Sequence, residues 1–399
     1  MRYFGNLIPY EDALRIVLDN ITPLSRTEEI SLGNSLGRVL AQDIVATFNT
    51  PPFDRASMDG FAVVAQDTAS ASSASPVRLE LDETVFAGTL PTKTVTTGRC
   101  VQIATGARMP PGADAVIMAE DTRKNSEELF VIKPVQKGVN IGRLGNDIMR
   151  GATLIRAGTV LTAAHIGVMA SQGLTCTIVY AQPVVAILPT GEEIVPPGAA
   201  LGEGQIYDIN SHTLAAMVRL HGGEPWLLPV AGDQPGELHD ALDRTLAADL
   251  VLTSGGSSVG EKDLLLGILE ERGRVLFRGV KIKPSKPTTF SEIGGKPILG
   301  VPGNPTSCLM TAHLFLVPAL RRLAHLSAFK THTTTAILAD GVAENERRQF
   351  ITVKVAEGVA SSVFKESSAI TSMSEALGYV AVPENTAIAK GATVEVILF

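Results

Sequence analysis

The chain has 399 residues, enough for roughly two to four domains, and 45% of them are hydrophobic, as well-packed cores require. Its formal net charge of −7 argues against a nucleic-acid partner or an anionic membrane, because phosphate groups need clustered Lys and Arg. The three cysteines show no Cys-x-x-Cys spacing and the seven histidines form no pair at ligand spacing. Both observations disfavour a disulfide framework and a zinc knuckle.

The N-terminal segment differs from a signal peptide, since Glu11 and Asp12 stand where apolar residues are needed. The longest apolar stretch, Cys308 to Leu320, contains His313 and Pro318 and is too short to span a bilayer. We therefore expect a cytoplasmic protein.

Hydrophobic periodicity predicts a multidomain α/β protein with four regions. Residues 1–50 and 141–182 combine an N-terminal helix, Tyr10 to Ile21, with a small α/β connector. Residues 51–140 predict an inserted β domain with a flexible loop at Thr68 to Ser75. Residues 183–325 alternate strands with helices, which is typical of a doubly wound nucleotide- or pterin-binding domain. Residues 326–399 predict a small C-terminal all-β domain.

The doubly wound region contains four predicted strands and four predicted helices. The strands are Val184–Leu188, Trp226–Val230, Leu250–Thr253 and Ile298–Val301, and the helices are Ser211–Leu220, Leu238–Ala247, Leu264–Arg272 and Thr306–Leu323. A sheet of this kind binds its ligand where the strands end, so the residues that follow each strand form the candidate site.

The stretch from Asp249 to Asp263 leads from a buried strand directly into a loop of glycines, hydroxyls and acids. Gly255, Gly256 and Gly260 permit positive φ and a close approach of a ligand to the backbone. A plain connection is one interpretation, with the acids only favouring the N-terminus of the next helix. In each of the other three interpretations the loop binds a ligand or takes part in catalysis.

Two of these loops are enzyme motifs. Gly255 to Lys262 nearly matches a phosphate-binding P-loop, but Glu261 replaces its lysine and Asp263 its serine or threonine. Gly256 to Gly260 matches the nucleophile elbow of hydrolases, with Ser258 as the nucleophile. The histidines available downstream as its base are His313, His325 and His332.

The third interpretation is an anion and cation site. The amides and hydroxyls of the loop, including Ser257 and Ser258, would hold an anion, while Asp263, alone or with Glu261, would hold a hard cation. All of these interpretations are compatible with the loop alone.

Three further segments complete the candidate site, two of them after predicted strands and one after Val280. Pro189 to Glu193 ends in two acids, and Lys281 to Pro287 is a proline-stiffened loop that presents Lys281, Lys283 and Lys286. In Pro302 to Ser307, Asn304 is a good N-cap and Pro305 a good first helical residue. We expect the amides after them to be free for an oxyanion. Together the segments predict a charged cleft.

The β insertion carries two turn-rich segments. Pro51 to Val63 contains Asp59 beside a glycine immediately before a strand, and Thr105 to Val116 leads into another strand. Asp-Gly is also an ordinary turn sequence. The arrangement predicts that Thr105 lies beside Asp59.

Seven segments in order resemble the motifs of the molybdopterin molybdenumtransferases, the MoeA family, whose eukaryotic relatives include the E domain of gephyrin. The segments are Pro51–Val63, Thr105–Glu120, Pro189–Glu193, Gly204–Asp208, Ser254–Asp263, Lys283–Pro287 and Pro302–Ser307. Ordered motifs over nearly the whole chain are more specific than any single one, so the resemblance outweighs the P-loop and hydrolase interpretations.

The resemblance implies a homodimeric enzyme that completes molybdenum cofactor synthesis. Its substrates are adenylyl-molybdopterin, which is hydrolysed with release of AMP, and molybdate, which enters the dithiolene with the help of Mg²⁺. It also implies that Asp59 of one chain approaches the α/β cleft of the other, and that the adenylyltransferase of the preceding step is a partner. A non-catalytic scaffold of the same fold is the alternative.

Residue roles follow from motif position in the resemblance. Catalytic roles are implied for Asp59, Thr105, Glu193, Asp263 and Lys283, and metal ligation for Glu193, Asp233 and Asp263. Substrate contacts are implied for Asp147, Gly255, Gly256, Ser257, Ser258, Gly260, Lys281, Lys286, Pro302, Gly303, Asn304, Pro305, Arg347, Ser368 and Ser372.

Overall fold

The structure, a computed structural model, describes residues 7–125, 128–232, 234–255 and 264–399. The chain divides into two compact units. The first comprises Met1–Glu29, Gly37–Ala41 and Ile178–Phe399, and the second Ile30–Leu36 and Gln42–Thr177. The multidomain α/β class predicted from the sequence is confirmed, and the finer four-region division stays a prediction. None of the helices in the described ranges has the length and apolar character that a membrane crossing requires.

The strands are numbered here in chain order. They are β1 (Thr27–Ser31), β2 (Ile44–Val45), β3 (Arg55–Ala56), β4 (Gly60–Val63), β5 (Val77–Val85), β6 (Arg99–Ile103), β7 (Ala115–Met118), β8 (Thr122–Asn125), β9 (Glu128–Val131), β10 (Ile141–Gly142), β11 (Thr153–Ile155), β12 (Cys176–Tyr180), β13 (Val184–Pro189), β14 (Ile194–Val195), β15 (Ile206–Tyr207), β16 (Glu224–Leu227), β17 (Leu250–Ser254), β18 (Arg274–Arg278), β19 (Ile282–Lys283), β20 (Thr289–Ile293), β21 (Lys296–Val301), β22 (Thr333–Leu338), β23 (Arg348–Ala356), β24 (Val359–Ser362), β25 (Gly378–Val382) and β26 (Thr393–Leu398).

The helices are α1 (Tyr10–Asp19), α2 (Ala163–Ser171), α3 (Asn210–Leu220), α4 (Pro235–Thr245), α5 (Leu264–Arg272), α6 (Pro305–Thr311), α7 (Val317–Leu323) and α8 (Thr371–Ser374). Short 3₁₀ turns lie at Leu32–Asn34, Ala65–Thr68 and Ala119–Asp121. A π-helical turn, Ala312–Leu316, joins α6 to α7. The predicted helix Thr306–Leu323 is therefore one helical run with a wider turn in its middle.

The second unit is built on a six-stranded sheet with strand order β7-β4-β6-β5-β9-β8. Its core contains Phe61, Leu79, Ile117 and Leu129, each at most 3% exposed. A Cβ at Gly60 would come within 1.8 Å of the Ile117 carbonyl oxygen, so only glycine fits at the start of β4. Part of the predicted flexible loop is anchored, because Thr68 is fully buried and its hydroxyl donates to Ala65 O.

The α/β sheet of the first unit has the order β16-β13-β17-β21-β20-β18. The first four strands are parallel, as predicted, but β20 and β18 are antiparallel additions that the sequence analysis missed. Two successive antiparallel pairings make β18 run in the same direction as β21. The end of β18 therefore lies at the same edge of the sheet as the ends of β13, β17 and β21.

The register of the strand pairs aligns the residues at this edge of the sheet. Thr253 pairs with Gly300, which pairs with Thr289, and Thr289 pairs with Arg278. The buried strands β17 and β21 pack between two apolar clusters, one on each face of the sheet. The loops that follow the strands are thus held by a rigid sheet.

The C-terminal sheet has the order β19-β23-β24-β22-β26-β25, and β23 also pairs with β25, so the sheet closes on itself. Strand β19, which precedes Pro284, pairs with β23 through Lys283 and Gln349. The lysine segment is thereby attached to the C-terminal sheet as well as to the end of β18.

Candidate functional site

A cavity of about 710 Å³ lies at the carboxyl edge of the α/β sheet, in the first unit. Its lining residues are Pro189, Thr190, Glu193, Ile194, Leu201, Gln205, Ile206, Tyr207, Asp208, Ile209, Asn210, Ser254, Gly255, Gly303, Asn304, Pro305 and Ser368. Three of the four segments predicted to form the ligand site contribute to it. Its size is within the usual range for small-molecule sites.

The floor of the cavity is a close contact between two strand ends. Thr190 N donates to Ser254 O at 2.9 Å, and the next residue, Gly255, has φ of 97°. A Cβ at Gly255 would come within 2.4 Å of the Thr190 carbonyl oxygen. Glycine at this position is therefore required by both conformation and space.

Asp208 and Asn210 lie at the start of α3 and were missed as site residues by the sequence analysis. Asp208 is buried and its Oδ1 accepts a hydrogen bond from Ser211 N at 2.9 Å, which caps the helix. Asn210 Nδ2 donates to Ser254 Oγ at 2.8 Å and to Gly303 O at 2.7 Å. The available signal was the segment Gly204–Asp208, which leads directly into a helix.

Glu193 is an exposed carboxylate on the wall of the cavity. It lies over Gly191, where a Cβ would come within 2.7 Å of Glu193 Oε2. Together with buried Asp208 it gives the cavity two carboxylates with the hard oxygens that Mg²⁺ prefers. Among the described residues there is no group of three His, Cys, Asp or Glu side chains placed to hold a metal. By its oxygens and its exposure, Glu193 fits as a ligand of a hard cation.

The segment Gly303–Pro305 is bonded to the C-terminal part of the chain. Asn304 Nδ2 donates to Ser367 Oγ at 2.8 Å, and Thr306 N donates to Ser367 O at 3.0 Å. The expectation that the amide of Thr306 is free for an oxyanion is wrong, because Ser367 occupies it. Asn304 is the N-cap residue and Pro305 the first helical residue, as predicted, but the Asn304 side chain makes no capping bond.

Pro302, Ser368 and Ser372, three further predicted site residues, differ in their access to the cavity. Ser368 lines the cavity and is exposed. Pro302 is buried beneath the loop. Ser372 is fully buried, and its Oγ accepts a hydrogen bond from Lys365 N at 3.0 Å. Its position favours holding the segment in place over direct contact with a substrate.

The basic residues lie outside the set that lines the cavity. Lys281 Nζ is 3.0 Å from Glu384 Oε2, so its charge is compensated. Lys283 is exposed on β19, whereas Lys286 is half-buried and its carbonyl accepts from Val280 N. Arg347 is half-buried, with its Nε buried and unpaired among the described residues. Lys283 is therefore the most accessible of the three predicted lysines.

Several predicted site residues lie outside the described part of the chain. They are Asp233, Gly256, Ser257, Ser258, Gly260 and Asp263. Their predicted roles in catalysis, metal binding and substrate binding stay predictions.

Three predicted residues belong to the second unit. Thr105 N and Thr105 Oγ1 both donate to Asp59 Oδ1, at 2.7 and 2.9 Å, which confirms that the two residues are neighbours. These bonds, the backbone one first, hold the pKa of Asp59 below its ordinary value. Asp147 is exposed, and its backbone N donates to Thr50 O at 3.1 Å.

Three family models match this chain in order. The model of the MoeA N-terminal region (domain I and II) matches residues 8–173. A probable molybdopterin binding domain matches residues 186–322, which contain most of the cavity, and the MoeA C-terminal region (domain IV) matches residues 335–399.

Curated proteins and solved structures agree with these matches. A molybdopterin molybdenumtransferase of Nostoc sp. is 36% identical over 75% of this chain and 70% of its own length. One of Bacillus subtilis is 33% identical over 98% of this chain and 94% of its own. Two structures of molybdopterin biosynthesis MoeA proteins from Pyrococcus horikoshii have TM-scores of 0.86 and 0.81 at 38% and 32% identity. They cover 98% and 99% of this chain and 99% and 100% of their own.

Proposed function

The chain belongs to the MoeA family of molybdopterin molybdenumtransferases, and from that premise we propose that it hydrolyses adenylyl-molybdopterin, releases AMP and inserts molybdate into the dithiolene. The observation that carries this proposal is the cavity at the carboxyl edge of the sheet, within the segment matched by a molybdopterin binding domain. Ligands of doubly wound sheets bind at this edge.

The walls of the cavity suit a flat heterocycle that carries polar edges. Leu201, Ile206 and Tyr207 are exposed, largely apolar side chains that line the cavity, and they would cover the face of a pterin or adenine ring. Thr190 and Ser254 place polar groups on the floor. Apolar walls would contact the faces of the ring, and polar groups on the floor would orient it through hydrogen bonds to its edge.

The anionic parts of the substrates need donors and cations. Ser368 in the cavity wall, Lys283 on β19 and Arg347 before β23 are the groups we assign to the oxyanion and the phosphates. Lys286 and the loop glycines would add to this set. Lys281 contributes less, since Glu384 already neutralises it.

We assign Glu193 as one Mg²⁺ ligand, with Asp233 and Asp263 as the predicted partners. Bound Mg²⁺ would neutralise phosphate charge in the hydrolysis of the adenylyl link. The part of Glu193 is to present its carboxylate from the cavity wall above Gly191, where the absence of a side chain makes room for it.

A homodimer, in which Asp59 of one chain completes the site of the other, is part of the proposal. Mixing inactive Asp59→Asn and Asp263→Asn proteins should then restore partial activity through mixed dimers. A fully active monomer in sedimentation would contradict the shared site. The adenylyltransferase of the preceding step as a partner and a cytoplasmic location also stay predictions.

The pterin bound by the purified protein tests the proposal. We expect the protein to release a pterin that is identified as molybdopterin after oxidation and fluorescence detection, and Tyr207→Ala to retain less of it. A Leu220→Ala variant is the matched control, because Leu220 is exposed on α3 and lies outside the cavity lining. Absence of pterin after reconstitution with molybdopterin would contradict the proposal.

The serine-hydrolase and scaffold alternatives make different predictions. A nucleophilic Ser258 would be labelled by a fluorophosphonate, and Ser258→Ala would abolish turnover. If the loop binds an anion instead, Ser258→Ala would weaken binding by only about tenfold, the value of one hydrogen bond. A scaffold would bind the pterin without releasing AMP.

A further inference from the structure

We propose that Asn210 is a positioning residue of the cavity, whose side-chain amide holds the ends of β17 and β21 together so that Gly255 and Asn304 face the substrate jointly. This inference rests on the proposed function for the identity of the substrate. The contacts that it uses lie within the first unit.

The amide joins parts of the chain that are distant in sequence. Nδ2 donates to Ser254 Oγ, 44 residues away, at 2.8 Å and to Gly303 O, 93 residues away, at 2.7 Å. Ser254 is the last residue of β17, and Gly303 follows β21 by two residues. All three residues line the cavity. Asn210 is thus the point at which the start of α3 is bonded to two strand ends.

The chemistry of the contacts determines the orientation of the amide. A carbonyl oxygen only accepts hydrogen bonds, so the atom that faces Gly303 O must be the nitrogen. Both hydrogens of Nδ2 are therefore used, one for each strand end. A carboxylate of the same shape would repel the Gly303 carbonyl, whereas the Ser254 hydroxyl can turn and donate to it, so Asn210→Asp acts mainly on the contact with Gly303.

The amide oxygen of Asn210, Oδ1, differs from the nitrogen in its contacts. Asn210 is 8% exposed, and its Oδ1 is buried and has no hydrogen-bond partner among the described residues. A buried acceptor without a partner costs folding free energy. The hydrogen bonds that the side chain makes among the described residues are therefore the two of Nδ2.

The bonds fix a separation that the substrate depends on. Gly255 and Gly303 are already close, since a Cβ at Gly303 would come within 3.7 Å of Gly255 Cα. On the far side, Asn304 is held by Ser367. Backbone pairing holds Ser254 beside Val301, and the Asn210 amide extends this connection to Gly303, two residues beyond the end of β21.

The first experiment measures hydrogen exchange in the ligand-free protein, so that it does not depend on the reaction. Asn210→Asp keeps the size and removes the donors, and Ser211→Ala is the matched control because Ser211 Oγ is buried and also unpartnered. We expect Asn210→Asp to raise exchange at least about threefold in the peptide 302–309 with an unchanged Tm, and Ser211→Ala to leave it unchanged. Wild-type exchange in Asn210→Asp would overturn the inference.

The second experiment measures AMP release from adenylyl-molybdopterin. Loss of the hydrogen bond to Gly303 O, and its replacement by repulsion, should raise KM about tenfold in Asn210→Asp, with kcat within about threefold of wild type. An unchanged KM would contradict the positioning role. If the wild-type protein releases no AMP, the proposed function fails, while the exchange result still decides whether Asn210 holds the loops.

A second variant covers the case in which Asn210→Asp lowers the Tm. Ser254→Ala removes one acceptor and keeps Gly303 O, so it should raise KM less than Asn210→Asp does. Because both variants alter the contact between Asn210 and Ser254, their effects on KM should be non-additive in the double variant. Additive effects would overturn the inference.

Discussion

Asp59 and Thr105, 46 residues apart, meet through a single carboxylate oxygen: Asp59 Oδ1 accepts both the backbone N–H and the hydroxyl of Thr105. The pairing of two strands in the sheet brings the two residues together. Asp59 precedes β4 and Thr105 follows β6, and these antiparallel strands pair Gly60 with Ile103. A carboxylate bonded in this way is held in one orientation and stays ionised to a lower pH than an ordinary aspartate.

Replacing Thr105 by valine should raise the pKa of Asp59. The hydroxyl donor is lost, but the backbone N–H remains, so the pKa should rise only part of the way to its ordinary value. An NMR titration of the Asp59 carboxyl carbon measures it. Thr122→Val is the control, since the Thr122 hydroxyl donates to Ala119 O and not to a carboxylate. An unchanged Asp59 pKa in Thr105→Val would show that the hydroxyl bond is absent in solution.

Alanine at Gly255 should destabilise the protein more than alanine at Gly198. Both glycines have positive φ, 97° and 91°, so both variants incur backbone strain of roughly 1–2 kcal/mol. Only at Gly255 would the new Cβ also collide with Thr190 O, whereas nothing lies within 4 Å at Gly198. We expect Gly255→Ala to lose roughly 1–3 kcal/mol more than Gly198→Ala in urea unfolding. Equal losses would contradict the close contact on the cavity floor.

The sequence predicted best what depends on local pattern. Helix α5 has the predicted bounds, Leu264–Arg272, because an apolar run is ended by Gly273. The parallel strands that position the cavity were also predicted, since buried strands are continuous apolar runs. Strands β18 and β20 were missed because Arg274–Arg278 begins and ends with arginine and Thr289–Ile293 mixes polar with apolar residues.

The sequence could not predict which groups would fill which hydrogen bonds. The amide of Thr306 was expected to be free, but Ser367 comes from the C-terminal part of the chain to occupy it. Asn210 was missed for the same reason, because its significance depends on Ser254 and Gly303 meeting it in space. Such contacts arise from tertiary packing, and no local pattern indicates them.

Lys283 and Lys281 should differ in their effect on molybdate binding. Lys283→Ala removes an exposed charge and should weaken binding about tenfold, the value of one charge-assisted hydrogen bond. The double variant Lys281→Met/Glu384→Gln removes a compensated pair and should weaken it less than about threefold. Calorimetric titration with molybdate at two salt concentrations measures both. A larger loss in the double variant would reverse the assignment.

His313 should make the protein less stable in mild acid. Burial, with a smaller contribution from His221, lowers the pKa of His313 from 6.5 to about 4. Between these values the unfolded chain binds a proton that the folded chain does not, so stability falls as the pH falls through this window and is unaffected by His313 above it. The loss amounts to roughly 3 kcal/mol.

His313→Gln cannot take up a proton and should therefore flatten the decline between pH 6.5 and 4 in urea unfolding. A smaller decline should remain, because burial also lowers the pKa of His221. The same slope in the variant and the wild type would show that His313 is not the group responsible.

The most direct measurement of the central claim follows AMP and molybdenum together. Purified protein is given adenylyl-molybdopterin, Mg²⁺ and molybdate, AMP is quantified by chromatography, and the product is used to activate a cofactor-free molybdoenzyme. We expect AMP release and activation in equal amounts, both reduced in Glu193→Gln and both normal in Ser211→Ala. Activation that is independent of molybdate, or AMP release without activation, would contradict the claim that this chain inserts the metal.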